Sequence, residues 1–247
     1  MKNKLAIFIV SLVLLSSCQE NNPTGNTDVT IHLEHIFGAN ALALNSATPY
    51  VTSGGDSVTF TTFKYYVSNI VFQKNGGGSF VEADSYHLVD LSDPESTELM
   101  ITNMDEAEYT SVSFLLGVDS TRNVSGAQTG ALDPANDMFW SWSSGYIFFK
   151  AEGSSPQAPS GFMYHIGGFS GPNNSLQLIT LNFGGDNLIV NKTNQKETHL
   201  TVDAQEIFDG PNPINVASTN NVMMPGAMAK MISQNYAGMF VFEHNHN

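Results

Sequence analysis

The chain has 247 residues, of which 9 are Lys or Arg and 23 are Asp or Glu, and its formal net charge is −14. Such an acidic chain lacks the basic surface that nucleic-acid phosphates require, which excludes a nucleic-acid-binding protein. Its length suits one domain of the sandwich or barrel kind, and its many Gly, Ser, Thr and Asn residues favour short strands and turns over helices.

The first 18 residues predict a bacterial lipoprotein signal peptide. Two lysines precede an apolar run from Leu5 to Leu15, which is too short to span a membrane. Leu15-Ser-Ser-Cys18 resembles a lipobox, and lipidation explains this sole cysteine better than a disulfide or a metal site does. Residues 19–28 are polar and predict a tether. We therefore expect a lipid-anchored protein of the bacterial cell envelope, at the outer membrane or the cell surface.

Alternating apolar and polar residues predict strands along residues 29–247, which we interpret as one domain. From Asp28 to Phe37 the apolar face includes His35, whereas His32 lies on the polar face. Thr59 to Gln73 predicts a long strand, which Gly76-Gly-Gly78 turns into a hairpin. The pattern predicts an all-β fold: a single antiparallel β-sandwich domain with one C-terminal α-helix.

The C-terminal helix is predicted from Pro225 to Phe240, since Pro suits the first helical position. The helix has an apolar stripe that we expect to dock on the sandwich, formed by Ala227, Met228, Met231, Ile232, Asn235 and Met239. His244 and His246 have an i, i+2 spacing that can chelate a metal, but they follow on a short tail that we expect to be free and solvated. His87 and His199 have the pattern of ordinary strand residues.

The run from Asp133 to Lys150 contains both tryptophans, Trp140 and Trp142. Their alternation with other residues predicts one strand with both indoles on the same face. A Gly-, Pro- and Ser-rich loop leads to a second apolar segment that contains His165. We therefore expect two antiparallel neighbours, with His165 near an aromatic cluster. On spacing alone, an aromatic core with one buried histidine is the commoner explanation.

Three blocks of the sequence, Gly117–Asn123, Thr129–Lys150 and Tyr164–Gly168, resemble the signature blocks of the MbnP-like copper-binding proteins. These are exported proteins often encoded beside a dihaem peroxidase-like partner. The resemblance runs from about Val29 to Phe240, and its Met-Phe-Trp-x-Trp-x-x-Gly-Tyr block is long and unusual. It implies a copper site made of histidines, and a tryptophan, Trp140 or Trp142, that the dihaem partner oxidises to kynurenine.

The resemblance also implies which residues hold copper. The family's first-strand histidine matches His35, and its second matches His165. Where the family commonly has a third histidine, this chain has Met223 and Met224, whose thioethers suit Cu(I). Either the methionines complete a softer site, or the site is two-coordinate or lost. We expect His35 and His165 to meet next to Trp140 or Trp142.

Asp119, Asp133 and Asp137 border a loop rich in Asn, Ser and Gly. Calcium prefers such oxygen-rich loops, so these residues are a candidate calcium site. Aspartates that bond to the backbone of a turn explain the same pattern.

No enzyme motif stands out, because the chain lacks Gly-x-Ser-x-Gly, His-Glu-x-x-His and a phosphate-binding loop. We therefore expect a binding protein and not an enzyme. The alternative to copper binding is a surface module for a glycan or a protein, with Trp140, Trp142 and Tyr146 as an aromatic platform. A structural envelope lipoprotein, with all its histidines in the core, is a third interpretation.

Overall fold

The computed structural model describes residues 26–126, 128–141, 144–193 and 195–247, apart from the side chains of Asn26 and Ser141. The predicted signal peptide, Cys18, most of the tether and Trp142 therefore lie outside the described residues. Among the described residues, no helix is long and apolar enough to cross a membrane.

The described part of the chain is built mainly from strands. In chain order these are β1 (Asn26–Phe37), β2 (Asn40–Ala41), β3 (Tyr50–Val51), β4 (Ser57–Lys74), β5 (Ser79–Val81), β6 (Tyr86–Asp90), β7 (Glu98–Asp105), β8 (Ala107–Leu116), β9 (Phe139–Ser141), β10 (Gly145–Ser155), β11 (Ala158–Gly167), β12 (Gln177–Asn182), β13 (Leu188–Val190), β14 (Lys196–Asp203), β15 (Asn221–Val222) and β16 (Phe240–His246). The α-helices are α1 (Ser120–Asn123), α2 (Glu206–Asp209) and α3 (Ala227–Tyr236).

Two sheets form the sandwich. The small sheet has the order β16-β14-β1, with β2 and β7 also paired to β1. The large sheet has the order β12-β8-β4-β10-β11-β15, and the remaining short strands pair with its members. Most pairs are antiparallel, but β1 and β14 are parallel, as are β11 and β15. The predicted all-β sandwich with a C-terminal helix is confirmed.

The main core lies between the inner faces of the two sheets. Along β1 the inward side chains Val29, Ile31 and Leu33 are at most 3% exposed, as the alternation predicts. Aromatic rings join the sheets: Phe240 of the small sheet packs against Tyr65 and Phe114 of the large sheet, with ring centroids 5.8 and 5.2 Å apart. These contacts fix which side of each strand faces inward.

A second, smaller apolar cluster lies on the outer face of the large sheet. It contains Tyr66, Tyr146 and Phe148 from the sheet, together with Leu132 and Met138 from the segment between β8 and β9. That segment therefore covers part of the outer face, which explains why polar side chains beside it are buried.

The predicted single tryptophan strand is wrong. Trp140 belongs to β9, which pairs antiparallel with β10 and does not continue into it. Gly145 begins β10 with φ +75°, a left-handed conformation that favours glycine, and the chain reverses here. From Tyr146 onward the expected neighbour is confirmed: β10 and β11 form an antiparallel hairpin.

The C-terminal prediction needs two corrections. The helix α3 is shorter than expected, and it buries Ala229, Ile232 and Tyr236, while Met228 and Met231 are 36% and 37% exposed. The residues after it are not a free tail, because β16 pairs with β14 up to His246.

Candidate functional site

A row of polar side chains crosses the outer face of the large sheet at His165. Lys150 of β10 is the register partner of both Lys64 on β4 and His165 on β11, so the three residues share one face. The row is largely buried, with His165 7% and Lys150 4% exposed. The sequence pattern marked His165 but not the lysines beside it.

Each polar group in this row has a partner. His165 Nε2 lies 2.6 Å from Glu152 Oε1, so Nδ1 is the ring nitrogen that Glu152 does not engage. The Lys150 ammonium donates to the carboxylate of Asp137, and it lies 3.8 Å from Glu152 Oε1. This hydrogen bond from Lys150 lowers the pKa of Asp137. The result is a compact acid–base network beneath the β9 segment.

Trp140 packs against the strand that carries His165. Gly167 is two residues beyond His165 on β11, on the same face, and a Cβ atom built there would lie 2.7 Å from Trp140 Cζ3. The half-buried indole therefore occupies the space that the missing side chain leaves open. Trp142 falls outside the described residues.

His35 is not brought together with His165. It lies on the inner face of β1, where Nε2 is 2.9 Å from the Tyr65 hydroxyl. Phe149 and Lys150 are adjacent on β10, so their side chains point to opposite faces of the large sheet. Tyr65, which contacts His35, shares the face of Phe149, whereas His165 shares the face of Lys150. The two histidines therefore lie on opposite faces of the large sheet. Burial lowers the pKa of His35 to about 4, so the ring is neutral at neutral pH.

Met223 and Met224 lie at the edge of the large sheet. Val222 pairs in parallel with Tyr164, so Met223, the residue after Val222, corresponds to His165, the residue after Tyr164. Met223 and Met224 are 38% and 74% exposed, and with Met228 they line an open cavity of about 510 Å³. Thioethers are thus present beside the strand that carries His165.

The candidate calcium ligands each have a separate partner. Asp119 caps α1 by accepting from the backbone of Thr121 and Arg122, and it also accepts from the Tyr86 hydroxyl. Asp133 accepts from the backbone of Ala135 at 2.9 Å, and Asp137 is paired with Lys150. The structure does not bring the three carboxylates together, and each has the turn or ion-pair role that explains it.

Sequence reasoning missed a second group of histidines, on the outer face of the small sheet. His32, His199 and His244 are successive register partners on β1, β14 and β16, and His246 lies two residues beyond His244. One ligand atom each of His199, His244 and His246 lies within 4.8 Å of the others. The ring centroids of His32 and His199 are 4.8 Å apart. We call these four residues the histidine row.

The only sequence signal for the histidine row was the spacing of His244 and His246. Its other members come from strands whose pairing joins the two ends of the chain. His32 had been placed on the polar face of the first strand, but nothing near it in the sequence identifies His199 as its neighbour.

Comparison with known proteins agrees with the fold. The family model described as MbnP matches residues 26–224. The chain belongs to the MbnP family. The solved structure of MbnP from Methylosinus trichosporium superposes with a TM-score of 0.57 at 14% identity, over 83% of this chain and 87% of that one. A search of the curated proteins finds no match.

The MbnP family is associated with copper, so the donor set of each candidate site can be tested against that metal. The pair His35 and His165 does not fit one ion, because a layer of sheet backbone separates the two rings. Imidazole and thioether do fit copper chemically, and both occur around His165 and Met223. Copper in this MbnP chain therefore cannot be held by His35 and His165 together.

Proposed function

We propose that this chain is an extracytoplasmic copper-binding lipoprotein. Copper is held on the outer face of the large sheet by His165, with Met223 as a soft second ligand, next to Trp140. The observation that carries the proposal is that the indole of Trp140 packs against Gly167, two residues beyond His165 on the same face of β11, in a chain of the MbnP family. The proposal assigns binding to the chain and no catalytic step.

The environment of His165 suits a metal ligand. A histidine that binds a metal through one ring nitrogen commonly hydrogen-bonds a carboxylate through the other. Glu152 already holds Nε2 of His165, so Nδ1 is the nitrogen for copper. Lys150 contributes a positive charge nearby, which Asp137 and Glu152 offset. A thioether and an imidazole together favour Cu(I).

The proposal has two finer parts, the first from the family resemblance and the second from the lipobox pattern Leu15-Ser-Ser-Cys18. A dihaem peroxidase-like partner oxidises Trp140 or Trp142 to kynurenine, and the kynurenine amine and ketone become available to the metal. The protein is anchored in the bacterial envelope through lipidated Cys18. Calcium has no part in the proposal, since its candidate ligands have other partners.

The aromatic-platform alternative is less well supported. A glycan-binding platform needs a row of exposed flat rings, whereas Tyr146 is 1% exposed and donates its hydroxyl hydrogen to Leu132 O at 2.7 Å. Trp140 is half-buried against Gly167. The two described rings of the predicted platform therefore do not form an exposed flat row, which favours the copper proposal.

The test is metal analysis and intact-mass spectrometry of protein purified from its native host. We expect bound copper in the wild type and a mass increase corresponding to loss of one carbon and gain of one oxygen. His165→Ala should lose at least tenfold in Cu(I) affinity, whereas His87→Ala, a strand histidine paired with Glu82, should bind as the wild type does. Copper affinity unchanged in both His165→Ala and Met223→Leu would refute the site.

A further inference from the structure

The histidine row has the geometry of a metal site, and it shares no residue with the proposed copper site. Two ligand atoms about 2.0 Å from one metal ion lie roughly 3 to 4 Å apart. His244 Nε2 and His246 Nε2 are 3.1 Å apart, and a ligand atom of His199 lies within 4.8 Å of both. Small rotations about the side-chain bonds would bring these atoms to bonding distance. His32, on the other side of His199, is the natural fourth ligand.

The backbone holds these rings in place. Each histidine belongs to a strand, and the strands β1, β14 and β16 are hydrogen-bonded neighbours. The bulge between His199 and Leu200 in the pairing of β14 with β16 still leaves His199 directly opposite His244. Because the rings are already gathered, a metal ion loses less free energy to ordering its ligands than it would on a free tail.

Two carboxylates hydrogen-bond to histidines of the row. Glu98, the register partner of His32 on β7, is hydrogen-bonded to Nδ1 of His32, which leaves Nε2 for a metal. Glu197 Oε2 lies 3.2 Å from Nε2 of His199, which leaves Nδ1 of that ring. Such carboxylates orient metal-binding histidines. They also add negative charge, which attracts a cation.

We propose that the histidine row is a second metal site, which takes a divalent transition ion of the Cu(II) and Zn(II) class. Imidazole nitrogen suits these ions, whereas calcium and magnesium require oxygen ligands. His199, His244 and His246 are the principal ligands, and His32 is the fourth. The site differs from the one on the large sheet in lacking thioether, so it selects the divalent state over Cu(I).

The test is titration of the metal-free protein with Zn²⁺ and separately with Cu²⁺, followed by calorimetry. We expect one strong Zn²⁺ site, and we expect His199→Ala, His244→Ala and His246→Ala each to weaken it at least tenfold. The His87→Ala variant is the matched control, because His87 is a strand histidine with its own glutamate partner outside the row. Bound Cu²⁺ should show nitrogen hyperfine coupling in its electron paramagnetic resonance spectrum.

Zn²⁺ affinity unchanged in the double variant His199→Ala/His246→Ala would overturn the proposal. His246→Asn removes an exposed ring near the end of β16 and serves as the variant least able to disturb folding. The result is separable from the first proposal. His165→Ala should keep the Zn²⁺ site of the row, while the row variants should keep Cu(I) binding at His165. Each proposal can therefore fail without the other.

Discussion

The imidazole of His35 and the hydroxyl of Tyr65 share a hydrogen bond of 2.9 Å across the interior of the sandwich. It joins β1 of the small sheet to β4 of the large one. Tyr65 is 1% exposed and His35 is 9% exposed, so neither group has ready access to water as an alternative partner. The bond therefore specifies how the two sheets face each other, and it gives His35 a structural role.

This buried ring makes stability depend on pH. Burial lowers the pKa of His35 from 6.5 to about 4, so between these values the unfolded chain binds a proton that the folded chain does not. The part of the unfolding free energy that depends on the neutral His35 ring is fully present above about pH 6.5 and is lost as the pH falls to about 4. It amounts to about 3 kcal/mol. Urea unfolding of metal-free wild type and His35→Gln across this range measures it. We expect the difference between the two to shrink on acidification, and parallel curves would contradict the prediction.

Gly167 provides a test of the Trp140 contact. A Cβ atom there would lie 2.5 Å from Tyr146 O and 2.7 Å from Trp140 Cζ3, so Gly167→Ala must displace the indole or the backbone. We expect a loss of about 1–3 kcal/mol in unfolding free energy and a shifted tryptophan emission spectrum. Gly54→Ala is the control, because a Cβ atom at Gly54 meets only Thr52 Oγ1, at 3.7 Å. Equal effects of the two substitutions would show that Trp140 does not pack on Gly167.

The two partners of the Lys150–Asp137 ion pair differ in burial, which predicts that substituting one partner lowers stability more than substituting the other. The side chain of Lys150 is 6% exposed and that of Asp137 is 80% exposed. Asp137→Asn keeps a residue that tolerates the left-handed backbone here, but it leaves the buried ammonium poorly paired, and we expect a loss of about 1–2 kcal/mol. Lys150→Met should cost less, because the freed carboxylate is hydrated. Denaturant unfolding of both variants checks the order, and a larger loss in Lys150→Met would contradict it.

Cys18 predicts how the protein is retained in the cell. If the lipobox is processed, Cys18→Ala should move the protein from the membrane fraction to the soluble fraction, because a diacyl anchor is lost. Cell fractionation and immunoblotting of wild type and variant measure this. Membrane association as firm as that of the wild type would show that lipidation does not anchor the chain.

Local pattern was sufficient for the parts of the fold that depend on neighbours in sequence. The alternation around Ile31 and Leu33 predicted β1, and the three glycines after Asn75 predicted the hairpin of β4 and β5. The reversal at Gly145 was missed, because the residues around it continue an apolar alternation that also suits one long strand. Long-range pairing was not accessible either: nothing near His32 indicates its parallel partner, His199.

The predicted metal ligands show the same difference between local pattern, which was sufficient, and long-range pairing, which was not accessible. Placing His35 on the apolar face of β1 was correct in the sense that it points inward. Whether it meets His165 depends on which face of β11 carries that residue, and the register of three neighbouring strands decides this. Of the predicted apolar stripe of the C-terminal helix, Ile232 and Met239 are buried as expected, whereas Met228 and Met231 are more than a third exposed.

The parallel pairing of β1 with β14 sets the order in which the chain can fold. Val29 pairs with Lys196, and β14 in turn needs β16, so the small sheet cannot close until almost the whole chain is available. Contacts between residues so distant in sequence form slowly, because a long loop must close first. The histidine row takes its residues from the three strands β1, β14 and β16, which pair in this late step. Its imidazoles are scattered in the nascent chain and converge only with the last strand, so a metal ion captured there would report completed folding.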